Sequence, residues 1–376
     1  MDKIALLLPD FEEGGMPAVA SNLLSSLRDY YNVDIILIKS NRKVRFNTFN
    51  SHIVELEQVS SNKIIRYIHK ISSLKTLKKI RKRNKYKAII SYGILAGFLN
   101  IFTKSDKSKA ICTIHNISSI ENASLGISGK IFNLFLKYVF PKANKVVGIS
   151  QGISQDLISN YDLSNVETIY NPYIFKDNLL LNNRVNHSDS NHVKFMTAAR
   201  LEKSKGLDKQ IFALSKLRKE GYLVTLDIYG EGSQKDYLGK LINKLCLNDY
   251  VFLKGFSSNL NVEMQSHDFF LFSSKYEGFG NVLIESLINK TPIISEDILS
   301  GPREVLNGLD KVNYSESLKR PVEQFNNGIL CINIYNGMKV ALLERKKYNI
   351  NIDILNKKLN PKHIAKIYKK IITENK

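Results

Sequence analysis

The chain has 376 residues, 43% hydrophobic and 24% charged, which is long enough for two domains with real cores and too apolar for a disordered protein. Its formal charge of +20 calls for a polyanionic partner: nucleic acid, acidic lipid headgroups or a phosphorylated substrate. Cys112, Cys246 and Cys331 lie far apart, which excludes a disulfide framework, matches no metal spacing and fits a reducing cytoplasm.

The first residues are too short in apolar side chains for a signal peptide. Lys3–Leu8 and Val33–Ile38 read as strands, with a helix over Pro17–Tyr30 between them and Pro17 suited to its first turn. Gly14-Gly15 lies between the first strand and that helix. From Gln58 to Ser105 there is no acidic residue, while Lys63, Arg66, Lys70, Lys75, Lys78, Lys79, Arg81, Lys82, Arg83, Lys85 and Lys87 crowd into the interval. Ile64, Ile65, Ile68, Ile71, Leu74 and Leu77 run through it at helical spacing. Such a segment can lie on an anionic membrane surface, or it can pack its apolar stripe on its own domain. The most apolar window, Ala88–Phe102, is 15 residues long. That is short of the ~20 a bilayer needs, so no transmembrane helix is expected.

Lys87–Ser91, Ala110–Ile114, Lys145–Ile149 and Val166–Tyr170 follow as short strands. The alternation with helices predicts a parallel sheet covered on both faces, with binding sites at the carboxyl ends of strands. His115 stands at one such end, in Cys-Thr-Ile-His-Asn, where a lone histidine is more often structural than catalytic. Tyr170-Asn-Pro-Tyr stops regular structure, and Asn182–His192, rich in Asn, Ser and Asp, reads as exposed linker. This places a first domain over residues 1–172, a linker over 173–192 and a second domain over 193–358. A basic helix over Leu359–Lys376 carries Ile364, Ile367, Tyr368 and Ile371 on one face.

The second domain restarts with a strand over Val193–Ala198, which feeds Ala199-Arg-Leu-Glu-Lys-Ser-Lys-Gly. Leu223–Tyr229 runs into Gly230-Glu-Gly, and Tyr250–Leu253 into Lys254-Gly-Phe. Asp268–Phe272 is an apolar strand that breaks at Glu277-Gly-Phe-Gly, after which Asn281–Asn289 has helical spacing. A strand ending in a glycine turn that opens a helix presents backbone N–H groups at a positive helix end, suited to a phosphate or a polar sugar. Glu277 and Glu285 frame that place, although an isolated pair of this kind more often serves only the helix dipole and the solvent.

The run E-G-F-G-N-V-L-I-E, followed by T-P-I-I-S, resembles the donor-sugar motif of the family 4 glycosyltransferases, retaining enzymes of the GT-B fold. The resemblance covers nearly the whole chain. Arg200 and Lys205 match the G-R-L-x-x-x-K-G cations, with Ala199 for the first glycine; Gly14-Gly15 matches the family's G-G loop, with Met16-Pro17 for the more usual Ala-Glu; Asn171-Pro172 matches its hinge. Lys290 stands where the family has a helix-ending glycine.

The resemblance implies two Rossmann-like domains facing each other across a cleft, the last helix crossing back to the first. It implies that Glu277 faces the transferred sugar, that Glu285 holds the ribose hydroxyls, and that Arg200 and Lys205 bind the donor diphosphate. Gly15 would approach that diphosphate, and His115 the sugar near the reacting carbon. Gly255 and Phe256 would meet the base, and Gly278, Phe279, Gly280, Asn281 and Val282 would complete the donor site. Ser300-Gly-Pro-Arg-Glu resembles bacterial surface-polysaccharide enzymes, several of which move N-acetylhexosamines.

The expected activity is retaining transfer of a hexose or N-acetylhexosamine from a UDP-sugar to a saccharide acceptor linked to polyprenyl diphosphate. It would occur at the inner face of the cell membrane, with peripheral contact to anionic lipid and no nucleic acid. No Asp-x-Asp pair occurs in the sequence, so neither metal nor other cofactor is expected. Three rivals remain, the first two being a sugar-nucleotide epimerase of the same fold and a nucleic-acid-binding protein, though the basic run barely interleaves aromatics. A nicotinamide-linked oxidoreductase would need G-x-G-x-x-G after the first strand, and only Gly-Gly stands there.

Overall fold

Two stretches of alternating strand and helix build two separate sheets. The computed structural model describes residues 1–11, 15–39, 46–57, 63–175, 191–314, 318, 320–344 and 346–374, without the side chains of 57 and 63–71. The chain divides into one unit of Met1–Ile174 with Lys357–Lys376, and a second of Phe175–Asn356. Most of the expected linker, residues 176–190, lies outside the described residues, as does Gly14.

In the first unit the strands are β1 (Lys3–Leu8), β2 (Asn32–Lys39), β3 (Ile53–Glu57), β4 (Ala88–Tyr92), β5 (Lys109–Ile114), β6 (Lys145–Gly148) and β7 (Val166–Thr168). They form one parallel sheet in the order β3-β2-β1-β4-β5-β6-β7. Ile4 to Leu8 and Ala88 to Tyr92 are buried throughout because helices cover both faces, which is why these strands read as apolar runs rather than alternating ones. The order reverses between β1 and β4, the place where an open sheet of this kind leaves a crevice at its carboxyl edge. β3 is an edge strand whose Ile-Val-Glu-Leu-Glu carries two charges, so no apolar run announces it.

The basic segment forms the helix Lys63–Asn84. In its described part Leu77 is fully buried, with Leu74 and Ile80 half-buried beside Tyr86 in the unit's own core. Lys75, Lys78, Lys79, Lys82 and Arg83 stay exposed. The chain ends not in one helix from Leu359 but in two, Asp353–Leu359 and Pro361–Thr373. The break falls at Asn360, whose side chain accepts from the Lys362 N–H at 2.9 Å, with Pro361 in the first helical position. Ile364, Ala365, Tyr368, Ile371 and Ile372 enter the core beneath β1 and β2, so the C-terminal helix belongs to the first unit.

The second unit carries β8 (His192–Ala198), β9 (Leu223–Tyr229), β10 (Val251–Gly255), β11 (Phe269–Phe272), β12 (Ile293–Glu296), β13 (Val322–Phe325) and β14 (Gly328–Cys331), ordered β10-β9-β8-β11-β12-β14-β13. All pairs are parallel except β13 with β14, a hairpin the sequence reading missed although Asn327-Gly328 marks its turn. β8 and β11 are neighbours, Phe195 opposite Phe269 and Met196 opposite Phe270. The loops that leave their carboxyl ends are therefore brought side by side.

Candidate functional site

After β8 the chain passes through Ala199–Leu201 and a short 3-10 turn, Lys203–Lys205, before the helix Leu207–Lys219. After β11 it passes through Ser273–Phe279 to Gly280, in left-handed conformation (φ 77°), which opens the helix Asn281–Ile288 without a side-chain cap. Several bonds fasten the two loops together. The Ser273 hydroxyl donates to the Gly206 carbonyl (2.9 Å), with the Lys205 carbonyl also within reach (3.1 Å), and accepts from Gln210 Nε2 (2.8 Å), while the Lys275 N–H donates to the Ser204 carbonyl (2.8 Å). Gly206 has φ 61°, and a Cβ there would stand 2.4 Å from the Ser273 carbonyl oxygen. Only glycine allows so close an approach in that conformation.

The fastening brings the Lys205 ammonium onto the Glu277 carboxylate as an ion pair, and Ser274 Oγ donates to the same carboxylate oxygen at 3.1 Å. Side chains predicted to meet different parts of one ligand thus satisfy each other here. Arg200 is exposed, and its guanidinium has no hydrogen-bond or ion-pair partner among the described residues. Glu285 lies on the helix that Gly280 opens. Its carboxylate is partly buried, again without a partner among the described residues, and burial raises its pKa above the usual carboxylate value. That differs from a solvated glutamate, because partial burial without a partner disfavours the charged form.

The remaining predicted donor residues separate by what they expose. Gly278 is buried and its carbonyl accepts from Ser300 Oγ. Phe279 is 3% exposed, so its ring packs inward and only its backbone can meet a ligand. Asn281 and Val282, in the first helical turn, are half-exposed. Gly255 ends β10 with φ 72°, and Phe256 is 81% exposed, an aromatic surface open to a stacking partner. Sequence reasoning missed the residues that hold the loops: Ser273, Ser274, Gln210, and the pairs Lys209–Glu296 and Arg303–Asp297. Gln210 had a usable signal, since it is a polar residue on the buried Leu207, Ile211, Leu214 stripe. Among the described residues no cluster of three or more His, Cys, Asp or Glu could hold a metal ion.

His115 and Gly15 belong to the first unit, His115 directly after β5 and Gly15 at the start of the helix that follows β1. Gly15 is exposed at the start of the helix Gly15–Leu27. The Thr113 hydroxyl donates to the Ser91 carbonyl (3.0 Å) and lies 2.8 Å from His115 Nε2. A hydroxyl has one proton to give, so Nε2 must be the donor in the second contact. Nδ1 is left as an acceptor. Burial pushes the imidazole pKa down to about 3, which keeps it neutral. Tyr92 stacks on its ring at 5.4 Å.

Comparison with known proteins bears on the family and the fold. The family model Glycosyltransferase Family 4 matches residues 13–173, and Glycosyl transferases group 1 matches residues 181–324. The chain is 27% identical over 316 residues to the N-acetylgalactosamine-N,N'-diacetylbacillosaminyl-diphospho-undecaprenol 4-alpha-N-acetylgalactosaminyltransferase of Campylobacter jejuni, covering 81% of this chain and 83% of that protein. It is 28% identical over 233 residues to the poly(ribitol-phosphate) alpha-N-acetylglucosaminyltransferase of Staphylococcus aureus, covering 60% of this chain but only 45% of that larger protein. Among solved structures, Anabaena Alr3699/HepE, crystallised with UDP and glucose, superposes with a TM-score of 0.72 over the whole of both chains at 17% identity. That likeness shows the GT-B fold.

Proposed function

The chain is a glycosyltransferase of family 4, and from that premise we propose that it moves a hexose or N-acetylhexosamine from a UDP-sugar to a lipid-linked saccharide in bacterial surface-polysaccharide synthesis, with retention at the transferred carbon. The observation that carries the reading is the Lys205–Glu277 pair, which puts the cationic loop and the carboxylate loop in contact at the carboxyl ends of two adjacent strands. The donor's diphosphate takes Arg200 and Lys205 as its cations. Lys205 exchanges Glu277 for phosphate, and the released carboxylate accepts hydroxyls of the sugar. Glu285 accepts the ribose hydroxyls, and Phe256 offers a face to the uracil.

In the reaction the bond from the anomeric carbon to the diphosphate breaks while a bond to the acceptor oxygen forms on the same face. The acceptor's proton passes to the departing phosphate oxygen. The two fixed cations stabilise the charge that grows on the diphosphate, so no metal ion is invoked. His115, neutral and with a free lone pair on Nδ1, holds a sugar hydroxyl rather than transferring charge. The acceptor is a saccharide on polyprenyl diphosphate at the cytoplasmic face of the membrane, in keeping with the undecaprenol-linked substrate of the Campylobacter relative.

The test is mass spectrometry of reactions pairing a panel of UDP-sugars with synthetic polyprenyl-diphosphate saccharides, followed by NMR of the product's anomeric configuration. One added sugar with the donor's configuration is expected. Arg200→Ala should lower turnover by about two orders of magnitude, as removal of a transition-state donor does elsewhere. An inverted product, near-normal turnover in that variant, or conversion of the donor without any acceptor overturns the reading.

A further inference from the structure

An ordinary surface helix turns its apolar residues to the core and its polar residues to water. The helix Gly126–Tyr138 in the first unit has an inner apolar face and a second one that points outward. Inward, Gly129 and Leu136 are buried, and a Cβ on Gly129 would lie 1.8 Å from the Asn122 carbonyl oxygen, so the helix rides directly on its neighbour Ser118–Ser124. Phe135 stacks on Phe98 at 4.2 Å, which fixes the rotation from a second side. Outward, Ile127, Ile131, Leu134 and Tyr138 are 79%, 44%, 55% and 62% exposed. At 3.6 residues per turn these four positions fall within about 60° of arc, a stripe about 16 Å long. Phe102, 54% exposed, packs against Phe98 with ring centroids 4.4 Å apart and widens the apolar surface.

Charge says what covers the stripe. No aspartate or glutamate occurs from Asn122 to Gln155, while Lys130, Lys137, Lys142 and Lys145 fall in that interval. Lys130 and Lys137 are exposed on the same helix, alongside the stripe. We propose that this face docks on a bilayer containing anionic phospholipid. Its aliphatic side chains and Tyr138 enter the headgroup boundary, and its lysines meet the phosphates. A second copy of the chain fits poorly, because pairing the stripes would bring like-charged rims of two +20 chains together. The exposed apolar surface lies here rather than on the basic helix Lys63–Asn84, whose described apolar residues are turned into the core. Docking rests on the helix and not on the acceptor assigned above, and its test reads binding rather than transfer, so either can fail alone.

The test is flotation of the full chain with vesicles of phosphatidylcholine alone and of an equal mixture with phosphatidylglycerol. The protein should float with the mixed vesicles only. The pair Ile127→Ser and Leu134→Ser should lower that binding about tenfold or more, with an unchanged melting temperature because both side chains are solvated. Lys130→Gln with Lys137→Gln, which leaves the apolar stripe intact, should also weaken it. Lys78→Gln with Lys82→Gln, on the basic helix, should float as the unaltered chain does. Full binding by the serine variant, loss confined to the Lys78/Lys82 variant, or a dimer that only the serine variant dissolves would each overturn the proposal.

Discussion

Glu285 and His115 are both held away from their ordinary protonation behaviour by burial, with opposite consequences for stability. The Glu285 carboxyl has a raised pKa in the native state, so the folded protein binds more protons than the unfolded one between the ordinary value and the raised one. Stability therefore falls as pH rises through that window and stays lower above it. Glu285→Gln removes the cost of a partnerless buried charge, so the variant should melt higher than the native chain at neutral pH. The same change removes the charged acceptor proposed for the ribose hydroxyls and should weaken UDP about tenfold, the loss expected for one hydrogen bond to a charged group. Melting curves with and without UDP read both effects, and a variant that gained nothing in stability and lost no affinity would refute the account. His115 works in the other direction. Its pKa falls from 6.5 to about 3, so the unfolded chain binds the extra proton, and stability is lost as pH drops from 6.5 towards 3. His115→Asn should flatten that limb of the stability-pH profile of the first unit. The native enzyme's rate should show no ionisation near 6.5 attributable to this ring.

Lys290 shows how an element tolerates an unfavourable residue. The helix Asn281–Ile288 ends with Lys290 at φ 61°, the left-handed conformation that glycine adopts freely, and its ammonium donates to the Ile350 carbonyl at 3.0 Å. A lysine in that conformation costs roughly 1–2 kcal/mol, more than a solvated hydrogen bond of this kind returns. Lys290→Gly should therefore stabilise the second unit by about 0.5 kcal/mol after the extra chain entropy of glycine, read as a higher urea midpoint. The same scale explains which elements the sequence announced. β1, β4 and β11 are covered on both faces and read as apolar runs, whereas β3 at a charged edge and the β13–β14 hairpin do not. The helix Ile94–Phe102 hid inside the most apolar window of the chain because even its exposed residues, Leu95 and Phe102, are apolar, which leaves no polar face to set its period.

At the scale of the whole molecule, the last helix closes the first unit across a long sequence separation. Ile364, Ile371 and Ile372 are buried in the core beneath β1 and β2, and Lys109 Nζ donates to the Ile371 carbonyl at 2.7 Å. At ~1.5–3 kcal/mol per buried side chain the three isoleucines contribute roughly 5–9 kcal/mol. That is comparable to the ~5–15 kcal/mol that holds an average domain together. Removal of residues 361–376 should therefore unfold the first unit while Phe175–Asn356 remains resistant to protease, and survival of the first unit would show that this packing matters less than its burial indicates.

The order and spacing of the motifs around Arg200, Lys205, Glu277 and Glu285 determined the family, and the alternation of strands with helices determined the architecture, because glycine turns and strand-to-helix junctions are local and leave their mark in the chain. Tertiary structure alone decided that Lys205 rests on Glu277, that Ser273 and Gln210 fasten the two loops, that Glu285 is partly buried with no partner among the described residues, and that the Gly126–Tyr138 helix keeps an apolar face in water. Each of these depends on which side of an element meets another element, and sequence periodicity reports that a face exists without saying what lies against it.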